Sequence, residues 1–203
     1  MSKSVALITG ASRGLGAELA QILSSTHHII AVSRTIGALE ALDDQIKKCG
    51  GSSTLAPIDL TDENAVAQLC RSIFERWGKV RLWAHTAIHA APLGPVITID
   101  SKDWEKSITN NVTSLARLIP MVSPLLEEDS KAVFFEDKTI MKKFSSIYGA
   151  TKAAQIHLVK TWNTLTLQQI NQMLIKHNLC PEPRDKQKAI AQLLAETTKQ
   201  MNK

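Results

Sequence analysis

Residues 5–16 read Val-Ala-Leu-Ile-Thr-Gly-Ala-Ser-Arg-Gly-Leu-Gly, and this stretch decides the fold. Residues 5–8 are a short apolar run of strand-forming residues, as expected of a strand buried on both faces. Residues 9–16 form a glycine-rich turn, and residues 17–23 continue with the apolar spacing of a helix. A strand, a glycine turn and a helix in this order predict a phosphate site, because the start of the helix offers free N–H groups and the positive end of its dipole. We therefore expect this stretch to bind a nucleotide.

Apolar runs of strand length alternate with helical patterns through most of the chain. The further strands predicted in this way are residues 28–33, 53–58, 80–86 and 132–135. The helices predicted between and after them are residues 36–49, 62–77, 104–126 and 148–167. Thr61 is the expected N-cap of the second of these helices, and Gly78 is its expected end. The alternation predicts an α/β fold of the Rossmann type, a doubly wound parallel sheet in three α/β/α layers whose ligands bind beyond the carboxyl ends of the strands.

From about residue 166 the pattern is polar and helical. It is interrupted by Cys-Pro-Glu-Pro at residues 180–183, and a further helix is predicted at residues 185–199. No convincing sixth apolar strand stands out. We therefore expect a Rossmann domain at residues 1–167 and an atypical helical C-terminal tail, residues 168–203, packed on the same domain.

Composition and charge argue against several classes of protein. The chain has 203 residues, of which 44% are hydrophobic and 21% charged, as in an ordinary single globular domain. The net charge of +5 comes from scattered Lys and Arg residues, which favours a solvated basic surface over a nucleic-acid site. The three cysteines, Cys49, Cys70 and Cys180, have neither zinc-site spacing nor an even count for disulfides. No apolar stretch approaches the roughly 20 residues of a membrane span. The predicted first strand begins too close to Met1 for a signal peptide. We expect a cytoplasmic protein with no metal site, no nucleic-acid partner and no membrane contact.

Several motifs have the order and spacing of one known family. They are Thr9-Gly10 with Gly14 and Gly16, Asp59-Leu60, Asn111, and Tyr148 followed four residues later by Lys152. From the N-terminus to about residue 165 the chain resembles the short-chain dehydrogenase/reductase family. The resemblance implies a fold that binds a nicotinamide dinucleotide, and hydride transfer between that cofactor and a small carbonyl or alcohol substrate. It also implies a homodimer formed through the helices of residues 104–126 and 148–167.

The resemblance further implies a set of cofactor-binding positions. They are Gly10, Ser12, Arg13, Gly14, Leu15, Gly16, Ser33, Arg34, Asp59, Leu60, Thr86, Ala87, Tyr148 and Lys152. Asp59 matches the position that accepts from the adenine amino group, although it could equally serve as a cap before Thr61.

Tyr148 and Lys152 suit acid–base chemistry on physical grounds as well. Residues four apart share a helix face, so the ammonium can lie near the phenol oxygen. A free tyrosine has a pKa of about 10, and a nearby cation favours the phenolate and brings the group toward neutral pH. The same lysine can also hydrogen-bond a ribose. An ordinary surface pair is the alternative, but Tyr148 is the only tyrosine in the chain and matches the family's proton donor.

Asn111 is the third candidate catalytic residue. It lies inside the helical pattern of residues 104–126, where an amide is a mediocre helix former. In the family the matching Asn bends this helix and holds a water in the proton relay. One alternative is that Asn110 occupies the family position. The other is that Asn111 is an ordinary residue on the helix surface.

The cofactor is expected to be NADP. Its 2′-phosphate suits a guanidinium, whereas the ribose of NAD suits a carboxylate. The second predicted strand ends Val-Ser-Arg-Thr at residues 32–35 without an acidic residue, and Arg13 lies in the glycine turn. Arg13 and Arg34 are therefore placed to flank the phosphate, unless both simply point into solvent.

The chain departs from the family pattern at three places. His85-Thr86-Ala87-Ile88 stands where the family usually has Asn-Asn-Ala-Gly. Asp137 most nearly occupies the position of the family's catalytic serine, and a carboxylate cannot donate a hydrogen bond unless it is protonated. The family's sixth strand, Pro-Gly turn, substrate lid and seventh strand are not recognisable in the tail. An NADP-dependent oxidoreductase is therefore one hypothesis, and a nucleotide-binding sensor or assembly subunit with impaired catalysis is the alternative. Nucleic-acid binding through the tail rests on charge alone.

Overall fold

One parallel β-sheet organises the part of the chain that the computed structural model describes, residues 4–136, 143–165 and 171–176. Its strands are β1 (Ser4–Thr9), β2 (His27–Ser33), β3 (Ser52–Pro57), β4 (Val80–His85), β5 (Leu126–Glu136) and β6 (Asn171–Lys176). They lie in the order β3-β2-β1-β4-β5-β6, and each neighbouring pair is parallel. The predicted doubly wound parallel sheet is confirmed.

Helices cover both faces of this sheet. They are α1 (Gly14–Leu23), α2 (Ile36–Lys48), α3 (Glu63–Trp77), α4 (Ser101–Ile108), α5 (Ser114–Val122) and α6 (Ser146–Leu165). Buried residues of α1 and α2 pack on one face, and those of α3, α5 and α6 pack on the other. In β1, Val5 and Leu7 face the second group whereas Ala6 and Ile8 face the first, which explains the unbroken apolar run. Within the described ranges, no helix is long and apolar enough to cross a membrane.

The region predicted as one helix at residues 104–126 is divided. It begins earlier, because the Asp100 carboxylate accepts from the N–H groups of Lys102 and Asp103 at 2.9 and 3.1 Å and so caps α4. A π-helical turn, Thr109–Thr113, then separates α4 from α5. After α5 a short 3₁₀ turn, Ser123–Leu125, leads directly into β5. The π turn contains Asn111, one of the candidate catalytic residues.

The predicted cap of α3 is one residue off. Asp62, not Thr61, caps the helix by accepting from the N–H of Ala65 at 3.1 Å. Thr61 donates through its backbone N–H and its hydroxyl to Asp59 Oδ1, each at 2.9 Å, so its own side chain is engaged before the helix starts. Gly78 does end the helix, with φ of 76°.

The expectation that the chain is helical from about residue 166 and lacks a sixth strand is wrong at residues 171–176. This segment is β6, paired with β5 in a register from Lys131–Asn171 to Glu136–Lys176. Only Met, Leu and Ile stand between polar residues there, so the run is too short to indicate a strand. Its backbone hydrogen-bonds to the edge of β5, and the local sequence pattern carries no sign of that pairing. Asp137 and the predicted helix of residues 185–199 lie outside the described residues.

Candidate active site

The predicted cofactor-binding segments meet at one edge of the sheet. They follow the carboxyl ends of β1 to β4, and parallel strands bring those ends together. Thr9, at the end of β1, is in register with Val32 of β2 and His85 of β4. The chain order reverses between β1 and β4, where a doubly wound sheet has the crevice that takes its ligand.

The glycine turn after β1 leaves the start of α1 open. Gly10 has φ of 90° and Gly14 has φ of 57°, so both occupy the left-handed region that favours glycine. Arg13, in the N-cap position, is extended, and its side chain makes no capping hydrogen bond. The first N–H groups of α1 therefore have no side-chain cap, and a helix start of this kind fits a pyrophosphate.

The loop after β4 packs directly against this turn. The N–H and the hydroxyl of Thr86 donate to the carbonyl oxygen of Thr9 at 2.8 and 2.9 Å. A Cβ on Gly10 would lie 2.5 Å from the N atom of Ala87, and one on Gly16 would lie 2.3 Å from the carbonyl oxygen of Gly10. The absence of these side chains lets the loop and the turn form one surface.

Arg34 and Asp59 face one another at the ends of β2 and β3. Arg34 Nη1 lies 3.7 Å from Asp59 Oδ2, and the two side chains are 57% and 42% exposed. An exposed ion pair of this length contributes at most about 1 kcal/mol, so the guanidinium can exchange this partner for another anion. Asp59 also accepts from the N–H and the hydroxyl of Thr61, so it forms a local contact just before α3, near the capping role that was its alternative assignment.

The remaining predicted cofactor residues differ in exposure. Arg13 is exposed and Ser12 is half-buried at the same turn. The side chain of Leu15 is buried in the core, and that of Leu60 packs against the core on the opposite face of the sheet. The hydroxyl of Ser33 accepts from the N–H of Thr35 at 3.3 Å. Any contact of Leu15 or Leu60 with a cofactor is therefore expected through the backbone rather than the side chain.

Tyr148 and Lys152 are buried on one face of α6. Their exposed fractions are 5% and 3%. The Lys152 ammonium donates to Oε1 of Gln155, one further turn along the helix. Gln155 Nε2 in turn donates to the backbone carbonyl oxygen of Asn111 at 3.2 Å. The structure thus joins two of the three predicted catalytic positions, Lys152 and Asn111, through Gln155, which the sequence alone did not indicate.

Asn111 lies in the π turn and is fully buried. Its Oδ1 accepts from the N–H of His89 at 2.7 Å, and its Nδ2 donates to the carbonyl oxygen of His89 at 2.8 Å and to Thr151 Oγ1 at 3.0 Å. Asn110 instead donates to the carbonyl oxygen of Lys106 within its own helix. Of the two asparagines, Asn111 is the one that contacts α6 and the loop after β4.

His85 ends β4 beneath the site. Its Nδ1 lies 2.8 Å from Thr9 Oγ1, and among the described residues its buried Nε2 has no hydrogen-bond partner. Burial, and after it the positive charge of Lys152, lowers the pKa of His85 to about 3. Trp83 and Phe134 each place a ring centroid 6.0 Å from its ring. His85 is therefore a neutral imidazole in an aromatic setting at neutral pH.

Gln155 and Thr151 carried a signal that spacing could have revealed. Gln155 follows Tyr148 by seven residues, which is two helical turns and the same face. Thr151 precedes Lys152 and bonds back to the carbonyl oxygens of Ile147 and Tyr148 at 3.0 and 3.1 Å.

The part of the chain that the structure describes holds no group of three His, Cys, Asp or Glu residues that could bind a metal ion.

Comparison with known proteins adds sequence relatives. A fatty acyl-CoA reductase of Acinetobacter baylyi is 33% identical over 122 residues, covering 59% of this chain and 41% of that protein. A 7alpha-hydroxysteroid dehydrogenase of Escherichia coli is 26% identical over 160 residues, covering 76% and 62%. The chain thus spans less than two thirds of the length of these relatives.

Solved structures show the same fold. A metagenomic short-chain oxidoreductase in complex with NADP superposes with a TM-score of 0.83 at 22% identity, over 96% of this chain and 91% of that one. An alcohol dehydrogenase from the archaeon Thermococcus sibiricus, complexed with 5-hydroxy-NADP, gives 0.84 at 18% identity, over 98% and 91%. The sequence model of the short chain dehydrogenase family matches residues 4–180. The chain therefore belongs to the short chain dehydrogenase family.

Proposed function

We propose that the chain is an NADP-dependent oxidoreductase that transfers hydride between NADP(H) and a carbonyl or alcohol substrate. The observation that carries the proposal is the buried cluster of Tyr148, Lys152 and Asn111. It is attached through the backbone of His89 to the loop that packs on the glycine turn. On this proposal, the proton donor and the phosphate site share one edge of the sheet.

The residues at this edge fit the dinucleotide. The open start of α1 would hold the pyrophosphate through the N–H groups that follow Arg13. Asp59 would accept from the adenine amino group, and Lys152 would donate to a ribose hydroxyl. Hydride donation or acceptance is the chemistry that a bound nicotinamide supplies.

Tyr148 would act as the general acid in reduction. Its hydroxyl donates a proton to the carbonyl oxygen of the substrate, which becomes the hydroxyl of the alcohol, and oxidation reverses the transfer. A lysine ammonium on the same helix face favours the phenolate, so Lys152 would bring the pKa of Tyr148 down toward neutral pH. Asn111 would support this pair through Gln155.

NADP is preferred over NAD because of the charge at the end of β2. Arg34 is exposed there, and a guanidinium recognises a phosphate through a fork of N–H donors. The metagenomic oxidoreductase was solved in complex with NADP, and a relative from Haemophilus influenzae is named a probable NADP-dependent dehydrogenase. Another similar structure holds NADH, so the preference rests on Arg34 and Arg13.

The experiment is an assay of NADPH consumption by the purified chain with a panel of aldehydes and ketones. We expect consumption that depends on the carbonyl compound, and that Tyr148→Phe abolishes it while leaving NADPH binding intact. Unchanged turnover in Tyr148→Phe would remove Tyr148 from the mechanism. NADPH binding without consumption across the panel would favour the alternative, a nucleotide-binding sensor or assembly subunit.

We also propose that two copies pair through the segments of residues 104–126 and 148–167 that the resemblance implies. Sedimentation velocity tests this pairing, because a dimer sediments with about twice the monomer mass. A monomer at all concentrations would contradict it.

A further inference from the structure

Gln155 forms a two-sided bridge inside the protein. Its Oε1 accepts from the Lys152 ammonium, and its Nε2 donates to the carbonyl oxygen of Asn111 at 3.2 Å. An ammonium can only donate and a carbonyl oxygen can only accept, so the chemistry of the two partners fixes which way the amide points. Gln155 is 2% exposed, so bulk water does not compete for either bond.

The bridge connects two elements that the chain places far apart in sequence. Lys152 and Gln155 belong to α6, whereas Asn111 belongs to the π turn between α4 and α5. Asn111 also donates to Thr151 on α6 at 3.0 Å, so the π turn contacts α6 on both sides of Lys152 in the sequence, at Thr151 and at Gln155. The position of the Lys152 ammonium is therefore tied to the backbone of the π turn.

We propose that Gln155 is a positioning residue that holds the Lys152 ammonium on the backbone of Asn111 and thereby sets the charge around the Tyr148 phenol. This inference rests on the proposed function, which gives Tyr148 and Lys152 their roles. Loss of hydration disfavours a buried ammonium, and a hydrogen bond accepted from it favours the charged form. Removing the amide oxygen therefore weakens the positive field that stabilises the phenolate.

Among the described residues, ionisable groups on β4, its following loop, α4 and the end of β2 act near this cluster. Burial lowers the pKa of both His85 and His89, so both imidazoles are neutral where a phenol ionises. Lys106 of α4 and Arg34 after β2 also lower the pKa of His89, whereas Asp103 of α4 raises it. Among the described residues, Lys152 is thus the charged group that Gln155 can position against Tyr148.

The test is a spectrophotometric titration of Tyr148. It is the only tyrosine in the chain, so the ultraviolet absorbance change on phenol ionisation reports this residue alone, without substrate or cofactor. Gln155→Met keeps the length and neutral charge of the side chain but removes both bonds. We expect it to raise the titration midpoint of Tyr148 by about one pH unit. Gln68→Met, the same change on the exposed face of α3, is the matched control and is expected to leave the midpoint in place.

A double-mutant cycle separates positioning from general loosening of the fold. Lys152→Met is expected to raise the Tyr148 midpoint, and adding Gln155→Met is expected to change it no further, because Gln155 acts through Lys152. An unchanged midpoint in Gln155→Met, or an equal shift in the Lys152→Met background, would overturn the inference. Should Gln155→Met fail to fold, Gln155→Asn keeps the amide but is too short to span both partners, and the same outcomes apply.

The outcome is independent of cofactor binding. A midpoint that shifts as expected in a chain that binds no dinucleotide would support the role of Gln155 and contradict the proposed function. Dinucleotide binding together with a Tyr148 midpoint that does not change in Gln155→Met would support cofactor binding and contradict the role of Gln155.

Discussion

Asn111 and His89 are paired in both directions, the side-chain amide of one against the backbone of the other. Asn111 Oδ1 accepts from the His89 N–H at 2.7 Å, and Asn111 Nδ2 donates to the His89 carbonyl oxygen at 2.8 Å. The pairing imitates a strand-to-strand contact and fixes the loop after β4 to the π turn. The loop that packs on the glycine turn is therefore held by the same residue that reaches Gln155.

Asn111→Ala is expected to destabilise the protein by about 2 to 3 kcal/mol. The substitution leaves two backbone groups of His89 without their partner, and each such loss costs about 1 kcal/mol or more. It also removes the bond to Thr151, whose hydroxyl keeps its bonds within α6. Asn110→Ala is the control, because within the described ranges its amide bonds back to Lys106 of its own helical segment, and we expect a loss of less than about 1 kcal/mol. Urea unfolding of both variants measures the difference. Equal losses would mean that the pairing with His89 contributes nothing to stability.

Gly16→Ala is expected to destabilise the protein and weaken dinucleotide binding together. The added Cβ would lie 2.3 Å from the carbonyl oxygen of Gly10 and 2.4 Å from Thr86 Oγ1, so the turn and the loop must move apart. Overpacking of this kind costs about 1 to 3 kcal/mol. Gly37→Ala in α2 is the matched control, since its Cβ would meet nothing within 4 Å and alanine favours a helix by up to about 1 kcal/mol. We expect the unfolding midpoint to fall in Gly16→Ala and to rise in Gly37→Ala. An unchanged midpoint in Gly16→Ala would contradict the prediction.

His85 is expected to make stability fall in acid. Burial holds its pKa at about 3, below the 6.5 of the unfolded chain, so the unfolded state binds the extra proton between these values. The stabilising contribution is complete above pH 6.5 and is lost as the pH falls toward 3, by up to about 1.4 kcal/mol per pH unit. His85→Asn should flatten this part of the curve of unfolding free energy against pH, and His157→Asn on the exposed face of α6 is the matched substitution. Parallel curves for His85→Asn and the unsubstituted chain would show that His85 does not titrate in this way.

Arg34→Asp is expected to weaken NADPH binding by about tenfold to a hundredfold and NADH binding much less. A charge-assisted hydrogen bond to the 2′-phosphate contributes about 1.5 to 3 kcal/mol, and NADH lacks that phosphate. Arg71→Asp on the exposed face of α3 changes the net charge equally and is the control for long-range electrostatics. Calorimetric titration of both variants with both cofactors checks the prediction. An equal loss for NADPH and NADH would mean that Arg34 does not recognise the phosphate.

Local pattern predicted most of the sheet because its strands are buried on both faces. β1 and β2 are near-continuous apolar runs, and the end of α3 follows from Gly78 in the left-handed region. The sequence pattern did not predict β6, because three apolar residues carry too little periodicity and the strand depends on pairing with the edge of β5. The π turn was missed for a similar reason, since Thr-Asn-Asn-Val-Thr fits a helix and the bond of Asn111 with Thr151 joins residues 40 apart in the chain.

The candidate site divides in the same way. The glycine turn and the Tyr148–Lys152 spacing are local, so the sequence alone located them. Gln155 could be placed on the right face by counting turns, but its contact with Asn111 joins residues 44 apart in the chain. The pairing of Arg34 with Asp59 likewise depends on the register of β2 and β3, which no local pattern specifies.

The roles proposed for Tyr148, Lys152 and Arg34 all require NADP(H) to bind at this edge of the sheet. Calorimetric titration of the purified chain with NADPH and, separately, with NADH tests it most directly. Saturable binding of one NADPH per chain, at least about tenfold tighter than NADH, is the predicted result. Binding of neither cofactor would contradict the account and would direct attention to protein partners instead.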